Sequence, residues 1–344
     1  MEPRVLPAER VRNALVRRLV RMPAPLARRL AGAPERDGRH ALDPTLQLLL
    51  RTQKLAKEGG FDTKPSLEEA RRSYHVLVHA LERPASLSAL ELERTLAHDG
   101  VSVRVRIHHP ASGQVRPALV YFHGGGFVVG DLDTHVDFAR RICRDADVVV
   151  VAVDYRLAPE HPFPAGVDDC VAATRAVLAR ASELGIDPSK VGVAGDSAGG
   201  NLAVNVSQVV EGLVFQALIY PTTDVDRVTA SKERCAKGFG LDRSTVDWFT
   251  DRYLGRTDHA DPRASPLLSA TLARCPRTHV ALAGFDVLRD EGQLLADRLR
   301  ELGVPTTVET HGGLIHGFVH LTRVPACDAA VDALVRGIRK GLHA

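Results

Sequence analysis

The run Gly195-Asp-Ser197-Ala-Gly199 has the form G-x-S-x-G, a serine flanked by glycines. It follows an apolar run that ends at Ala194 and precedes a helical stretch, so we expect the serine at a sharp strand-to-helix turn. There the hydroxyl would project from a sheet edge at a helix N-terminus, where a nucleophile benefits from the partial positive charge. A serine that merely caps an ordinary helix is the alternative interpretation of the same residues.

A second glycine-rich run, His123-Gly124-Gly125-Gly126-Phe127, directly follows the apolar residues 118–122. Three glycines can turn backbone N–H groups toward one point, where they stabilise developing negative charge. His123 is predicted to position this loop by hydrogen bonding, together with Gly124, rather than to transfer protons. A nucleotide-binding loop is disfavoured, because Val129 stands where G-x-G-x-x-G requires its third glycine.

The remaining partners of a serine nucleophile are predicted from their order along the chain. In α/β-type serine hydrolases an acid follows the serine and a histidine follows the acid. Asp286 comes just after the strand-like run 280–283, whereas Asp290 suits the start of the next helix. After a last strand at 305–309, His316 lies in a glycine-flanked loop, and His311 is interpreted as a surface histidine.

These residues predict acyl transfer by nucleophilic catalysis. Ser197 would attack an ester carbonyl, His316 would take and return its proton, and Asp286 would orient the imidazole. Such chemistry needs no cofactor. No metal is predicted either, because no spacing such as H-E-x-x-H occurs near these residues.

The pattern of apolar and charged residues changes along the 344-residue chain. Residues 1–95 are predicted to be an N-terminal helical segment, in which Val11, Leu15 and Leu19 recur at helical spacing. Residues 96–344 alternate apolar strands with helices, which predicts an α/β fold with a mainly parallel sheet. Residues 221–275 interrupt that alternation and are predicted to be a helical insertion over the carboxyl edge of the sheet.

Composition excludes several classes of protein. With 45 Lys and Arg against 42 Asp and Glu, the net charge is +3, and residues 1–31 alone contribute +6, so the rest is slightly acidic. Nucleic-acid binding is therefore not predicted. No apolar run approaches the length of a membrane span, so no stable membrane insertion is predicted. The Arg-rich start is expected to pack on the body, with binding to anionic membrane as the alternative.

The five cysteines are odd in number and far apart, with no CxxC. This pattern argues against a disulfide framework and against a thiolate zinc site. No secretory signal is recognised at the N-terminus. Together these features predict free thiols and a cytoplasmic location.

The motifs HGGGF, GDSAGGN, DxLxDE and IHGF, in this order, resemble those of the hormone-sensitive-lipase-like α/β-hydrolase esterases, bacterial family IV. The runs 154–165 and 261–268 are similar to that family as well, and the resemblance covers about residues 60 to 344. It implies the α/β-hydrolase fold, a small-molecule acyl ester of short to medium chain as substrate, and a cap built from the N-terminal helices plus 221–275. It also implies oxyanion donors at the N–H groups of Gly125, Gly126 and Ala198.

Three departures from the family pattern bear on the site. Val287 replaces the usual proline after the acid, the link from Ser197 to Tyr220 is short, and residues 1–40 extend beyond a typical cap start. Phe127, Trp248 and Phe249 are candidate pocket residues. A non-catalytic ligand-binding module, a lipase and an amide deacetylase remain as alternatives, and a homodimer is left open.

Overall fold

The central strands of the sheet carry nearly continuous apolar runs, as expected where helices cover both faces of a parallel sheet. The computed structural model describes residues 7–56, 59–111 and 113–344. Its strands are β1 (Arg36–Asp37), β2 (His40–Ala41), β3 (Leu90–His98), β4 (Val101–His109), β5 (Arg116–Phe122), β6 (Val149–Asp154), β7 (Ile186–Asp196), β8 (Leu213–Ile219), β9 (Arg277–Phe285) and β10 (Thr306–Ile315).

The central sheet has eight strands in the order β10-β9-β8-β7-β5-β6-β4-β3, and β1 and β2 form a separate two-stranded sheet. The strands from β10 to β6 are parallel to their neighbours, whereas β4 and β3 are added in antiparallel orientation. In parallel sheets, ligands bind outside the carboxyl ends of the strands. The ends of β5, β7, β9 and β10 lie at that edge and carry the predicted site residues.

Helices occupy both faces of the sheet and its carboxyl edge. They are α1 (Pro7–Val20), α2 (Ala24–Ala31), α3 (Pro44–Leu55), α4 (Leu67–Leu81), α5 (Val136–Ala146), α6 (Ala165–Ala179), α7 (Ala198–Val209), α8 (Ala230–Arg234), α9 (Arg243–Leu254), α10 (Arg289–Glu301) and α11 (Pro325–His343). The fold is the α/β-hydrolase arrangement that the sequence predicted, a mainly parallel central sheet flanked by helices. Both α8 and α9 lie within the predicted insertion 221–275.

The sheet begins at Leu90, inside the segment 1–95 that the sequence predicted to be helical. β3 is an edge strand, and most of its side chains are exposed or only half-buried. Glu91, Glu93 and Arg94 therefore stand where a central strand would carry apolar residues. Charged residues are common on edge strands, and here they hide the alternation by which a strand is recognised in sequence.

Helix α1 presents a different apolar row to the body than its spacing predicted. Leu15 is 61% exposed, whereas Val20 is buried and Val16 packs partly against the same cluster. Leu19 packs there in part as well, and the side chain of Val11 lies outside the described residues. The helix therefore packs on the body through Val16, Leu19 and Val20 rather than through Leu15.

All five cysteines are buried as free thiols. Burial raises the pKa of the Cys143 and Cys235 thiols to about 11 and that of Cys275 to about 12. The thiols of Cys170 and Cys327 are raised well above their usual pKa for the same reason. Each is therefore protonated and packed as a small apolar side chain.

Candidate active site

Ser197 lies at a strained turn between β7 and α7. Its φ of 55° and ψ of −117° are unusual for a non-glycine residue, and its side chain makes no capping hydrogen bond to the helix. The turn is this tight because Gly195 and Gly199 face each other closely. A Cβ at Gly199 would also collide with the carbonyl of Phe122. The interpretation of Ser197 as a simple N-cap is therefore wrong.

His316 lies between Ser197 and Asp286. Its Nε2 is 3.0 Å from Ser197 Oγ, and its Nδ1 is 2.8 Å from Asp286 Oδ2. Asp286 is buried, and its second oxygen accepts a 2.9 Å hydrogen bond from the N–H of Leu288. The ring of Tyr220 packs against that of His316 at 4.5 Å. Acid, base and hydroxyl are thus in one hydrogen-bonded line.

The structure corrects two assignments of neighbouring residues. His311 is not a surface histidine after the last strand, because β10 continues to Ile315 and the His311 ring packs edge-on against Phe318 at 5.2 Å. Asp290 does not cap α10. Its carboxylate accepts a 2.8 Å hydrogen bond from the N–H of Ser231 and pairs with Arg289, so it joins α10 to α8.

The glycine-rich loop after β5 faces Ser197. Gly125 and Gly126 have φ values of 115° and 60°, which only glycine adopts without strain. Among the hydrogen bonds of the described residues, none is donated by the N–H groups of Gly125, Gly126 or Ala198. These donors are therefore available to an oxygen of a ligand placed beside Ser197.

His123 fixes the start of this loop through hydrogen bonds and ring stacking. Its Nδ1 is 2.8 Å from the Gly124 carbonyl, and its ring stacks on that of Tyr155 at 4.3 Å. The hydroxyl of Tyr155 donates to the His123 carbonyl at 2.7 Å. Burial lowers the pKa of His123, so the ring is neutral and Nδ1 donates to the carbonyl.

Asp196, next to the serine, anchors the loop from the other side. Its Oδ1 accepts hydrogen bonds from the N–H of Gly124 at 2.8 Å and from the hydroxyl of Tyr121 at 2.5 Å. His135 and His320 lie behind it, with the two Nε2 atoms 3.1 Å apart. Neither histidine stands in a sequence motif, so neither was predicted to lie at the site.

Asp196, His135 and His320 also form the one group in the described residues whose ligand-type atoms lie close enough to hold a metal ion. However, the N–H of Gly124 points into this group, 2.8 Å from Asp196 Oδ1 and 3.3 Å from His135 Nε2. A cation there would meet a hydrogen-bond donor. The group is therefore arranged for hydrogen bonding rather than for metal binding.

An apolar pocket opens beside Ser197, between the N-terminal helices and the insertion. Phe127 and Phe249 line it, as predicted, but Trp248 does not. Trp248 is covered by the guanidinium of Arg252 at 3.8 Å from its ring. Other lining residues come from both helical segments: Leu49, Leu50, Tyr74, Leu77, Val78, Val225, Leu241, Val246 and Tyr253.

No helix in the described ranges is both long and apolar enough to cross a bilayer.

The chain matches a family model described as the alpha/beta hydrolase fold over residues 119–320. It is 38% identical over 319 residues to the carboxylic ester hydrolase LipN of Mycobacterium tuberculosis, covering 89% of this chain and 84% of that protein. It is also 38% identical over 316 residues to carboxylesterase NlhH of the same species, covering 88% and 97%.

Solved structures give the same result. An ester-hydrolase from the metagenome of Lake Arreo, in complex with a derivative of bipyridine phosphonate, superposes with a TM-score of 0.82 at 36% identity. That match covers 88% of this chain and all of the other. A thermostable esterase from Pseudomonas putida superposes with a TM-score of 0.83 at 30% identity, covering 90% and 99%.

Proposed function

Because this chain belongs to the α/β hydrolase fold family and is a carboxylic ester hydrolase, we propose that Ser197, His316 and Asp286 are its catalytic triad. The proposal rests on the line of hydrogen bonds from Ser197 Oγ to His316 and on to Asp286, at 3.0 and 2.8 Å. Ester hydrolysis then proceeds through an acyl-enzyme, in two steps that share the same groups.

In the first step, Ser197 Oγ attacks the ester carbonyl while His316 Nε2 takes the hydroxyl proton. The carboxylate of Asp286 holds the His316 Nδ1–H and stabilises the imidazolium that forms. His316 then returns the proton to the departing alcohol. In the second step, water attacks the acyl-enzyme with His316 again as the base, which frees the acid and restores Ser197.

Negative charge develops on the carbonyl oxygen in both steps. We assign its stabilisation to the N–H groups of Gly125, Gly126 and Ala198, which face Ser197 and have no acceptor in the described part of the chain. Removal of one such donor typically costs about 10²–10³ in rate. His123 and Gly124 act on this loop through its backbone, as positioning residues.

The two helical segments over the sheet edge together form a cap, in our proposal. Residues of α3 and α4 line one wall of the pocket, and residues of 221–275 line the other. A pocket walled by leucine, valine and aromatic side chains suits the apolar chain of an ester. We therefore assign short- to medium-chain acyl esters as the substrate class.

The location and assembly of the enzyme are proposed on narrower grounds. Five thiols without a disulfide suit a reducing compartment, which supports a cytoplasmic location. A homodimer is a hypothesis for sedimentation equilibrium to test.

Hydrolysis of p-nitrophenyl esters from acetate to palmitate tests the function. We expect a maximum among short to medium chains and a loss in kcat of about 10⁴- to 10⁶-fold for Ser197→Ala, with folding retained. Ser207→Ala is the matched control, since Ser207 is a buried serine of α7, the helix that follows Ser197, and its hydroxyl has no hydrogen-bond partner among the described residues. A maximum at palmitate would identify a lipase instead, and an active Ser197→Ala would refute the triad.

A further inference from the structure

A chain of buried polar groups extends behind the oxyanion loop, away from Ser197. Glu82 Oε2 is 3.0 Å from His320 Nδ1, and His320 Nε2 is 3.1 Å from His135 Nε2. His135 Nε2 in turn is 3.3 Å from the N–H of Gly124, which Asp196 also accepts. All four side chains are buried. The chain therefore connects a carboxyl group at the end of α4 to the backbone of the loop.

The positions of the hydrogens follow from Thr134. Its hydroxyl donates to the carbonyl of Asp131 and accepts from the N–H of the same residue, each at 2.9 Å. The remaining contact, from His135 Nδ1 at 2.9 Å, must then be donated by His135. Burial lowers the pKa of His135 to about 4, so its ring is neutral and its Nε2 carries no hydrogen. That Nε2 can only accept.

His320 must therefore supply the hydrogen between the two Nε2 atoms. If His320 Nε2 is protonated, its Nδ1 and Glu82 share one further proton, either as an imidazolium with a carboxylate or as a neutral imidazole with a carboxylic acid. In either form, retention of the shared proton is favoured. Burial raises the pKa of Glu82, and, against the effect of burial, the hydrogen bond to Glu82 raises that of His320.

We propose that His320 is a positioning residue for the oxyanion loop: it donates to His135, which keeps a bare Nε2 toward the N–H of Gly124, while Glu82 holds the proton that makes this possible. This inference rests on the proposed function, because it assigns a role in that reaction to a residue that touches neither substrate nor Ser197. Gly124 immediately precedes the two glycines assigned as donors.

Loss of the shared proton would reverse the arrangement. His320 Nδ1–H would then donate to ionised Glu82, and two bare nitrogens would face each other at 3.1 Å. The hydroxyl of Tyr74, 3.2 Å from His320 Nε2, could then donate to that nitrogen, or His135 could move its proton to Nε2, which lies 3.3 Å from Asp196 Oδ1. The second change would set an N–H against the N–H of Gly124, and in either case His320 no longer donates to His135. The rate should therefore fall at alkaline pH. The titratable groups around His320 are Tyr74 on α4, Glu82 after it, His135 and Asp137 at α5, and Asp196 on β7.

Two variants separate positioning from mere structural support. His320→Leu removes the donor, and we expect kcat to fall about tenfold with little change in KM, less than the loss of a whole oxyanion donor. Affinity for a trifluoromethyl ketone, which mimics the tetrahedral intermediate, should fall by the same factor. Glu82→Gln should leave kcat unchanged near neutral pH and abolish the fall in rate at alkaline pH (the alkaline limb of the pH profile). The reason is that its amide N–H can donate to His320 Nδ1 and does not ionise.

His279→Leu is the matched control, since His279 is a half-buried histidine of β9 bonded to Thr307 at the far side of the sheet. It should change the melting temperature only. If His320→Leu does not fold, His320→Gln replaces it: its amide keeps a donor near the Nε2 position, so kcat should be retained without an alkaline limb.

Wild-type kcat, pH profile and ketone affinity in folded His320→Leu would overturn the inference, as would an unchanged alkaline limb in Glu82→Gln. Ser197→Ala, measured alongside, distinguishes this failure from a failure of the proposed function. An inactive Ser197→Ala with an unaffected His320→Leu refutes the role of His320 alone, whereas an active Ser197→Ala refutes the triad itself.

Discussion

The catalytic edge and the cap are held in place by different kinds of interaction. At the catalytic edge, formed by the residues that follow β5, β7, β9 and β10, the turn that carries Ser197 is set mainly by backbone atoms. Ser197 N–H donates to the Ile219 carbonyl at 2.8 Å, and Gly195 and Gly199 leave no room for a Cβ. In the cap, positions are set by side chains such as Phe249, whose ring covers Gly126.

This difference suggests that the catalytic edge governs the rate of the reaction, whereas the cap governs the choice of substrate. Because the turn at Ser197 is fixed by these backbone contacts, we expect the triad to keep its geometry when side chains of the cap are changed. The cap instead rests on contacts that one substitution can remove. We expect substitutions at the edge to abolish the rate without unfolding the chain, and substitutions in the cap to alter stability or substrate choice.

The largest effect is expected from Asp286→Asn. Its carbonyl oxygen can still accept from the N–H of Leu288, so the fold should persist, but its amide would face His316 Nδ1 with a donor and force the wrong tautomer. We expect kcat to fall about 10⁴-fold. Asp290→Asn is the control, because the Asp290 carboxylate bonds to Ser231 and Arg289 rather than to His316; equal losses in both variants would contradict the assignment of the acid.

The next effect concerns the attachment of the cap. Lys232 of α8 pairs with Glu291 of α10 at 3.1 Å, and both are buried. Glu291 also accepts from the N–H of Thr223 at 2.8 Å. Glu291→Ala leaves the lysine buried without its counter-charge and should lower the free energy of unfolding by about 3 kcal/mol, measured by urea denaturation.

The double replacement Lys232→Met with Glu291→Leu should recover much of that loss, since apolar residues of similar volume often replace a buried ion pair without cost. A double variant as unstable as Glu291→Ala would show that the hydrogen bond to Thr223, rather than the ion pair, attaches the cap.

A smaller effect is expected from Phe249→Ala, which widens the pocket over the oxyanion loop. kcat/KM for the shortest esters should fall about tenfold, and the preferred chain should lengthen, because an apolar wall discriminates by about 1–3 kcal/mol per methylene. Trp248→Ala, its neighbour outside the pocket, should leave the order of preference unchanged. If both variants shift it equally, the pocket boundary is misassigned.

The smallest effect is expected at the exposed leucines of the cap. Leu30 is 51% exposed on α2, so Leu30→Ser should change the free energy of unfolding by no more than about 0.5 kcal/mol. Val20→Ala on α1, where the side chain is buried, should cost clearly more. A large loss in Leu30→Ser would indicate that another surface covers this leucine in solution.

The sequence alone predicts the catalytic edge better than the cap, and the reason is physical. Ser197 and Asp286 directly follow apolar strand ends and His316 directly follows β10, so a local pattern and the order along the chain suffice to bring them together. Strand β3 was not predicted, because its charged side chains face solvent at the sheet edge. The buried side chains of α1 were not identified correctly, because in a short amphipathic helix more than one row of apolar residues fits the helical spacing.

The cluster behind the oxyanion loop could not be predicted at all. Glu82, His135, Asp196 and His320 come from four separate segments and have no common spacing. Only the folded sheet places them within hydrogen-bonding distance. Buried polar networks of this kind carry no local sequence signal, even where they act on residues that a motif identifies.

The reactivity of the five buried thiols can report which parts of the chain open locally. A thiol reagent reacts with the thiolate, and burial both covers these sulfurs and keeps them protonated, so labelling requires a segment to open first. Cys235 lies at the end of α8 in the cap, whereas Cys143, Cys170 and Cys327 lie in helices packed on the sheet. The order in which the thiols become labelled thus gives the order in which the parts of the enzyme loosen.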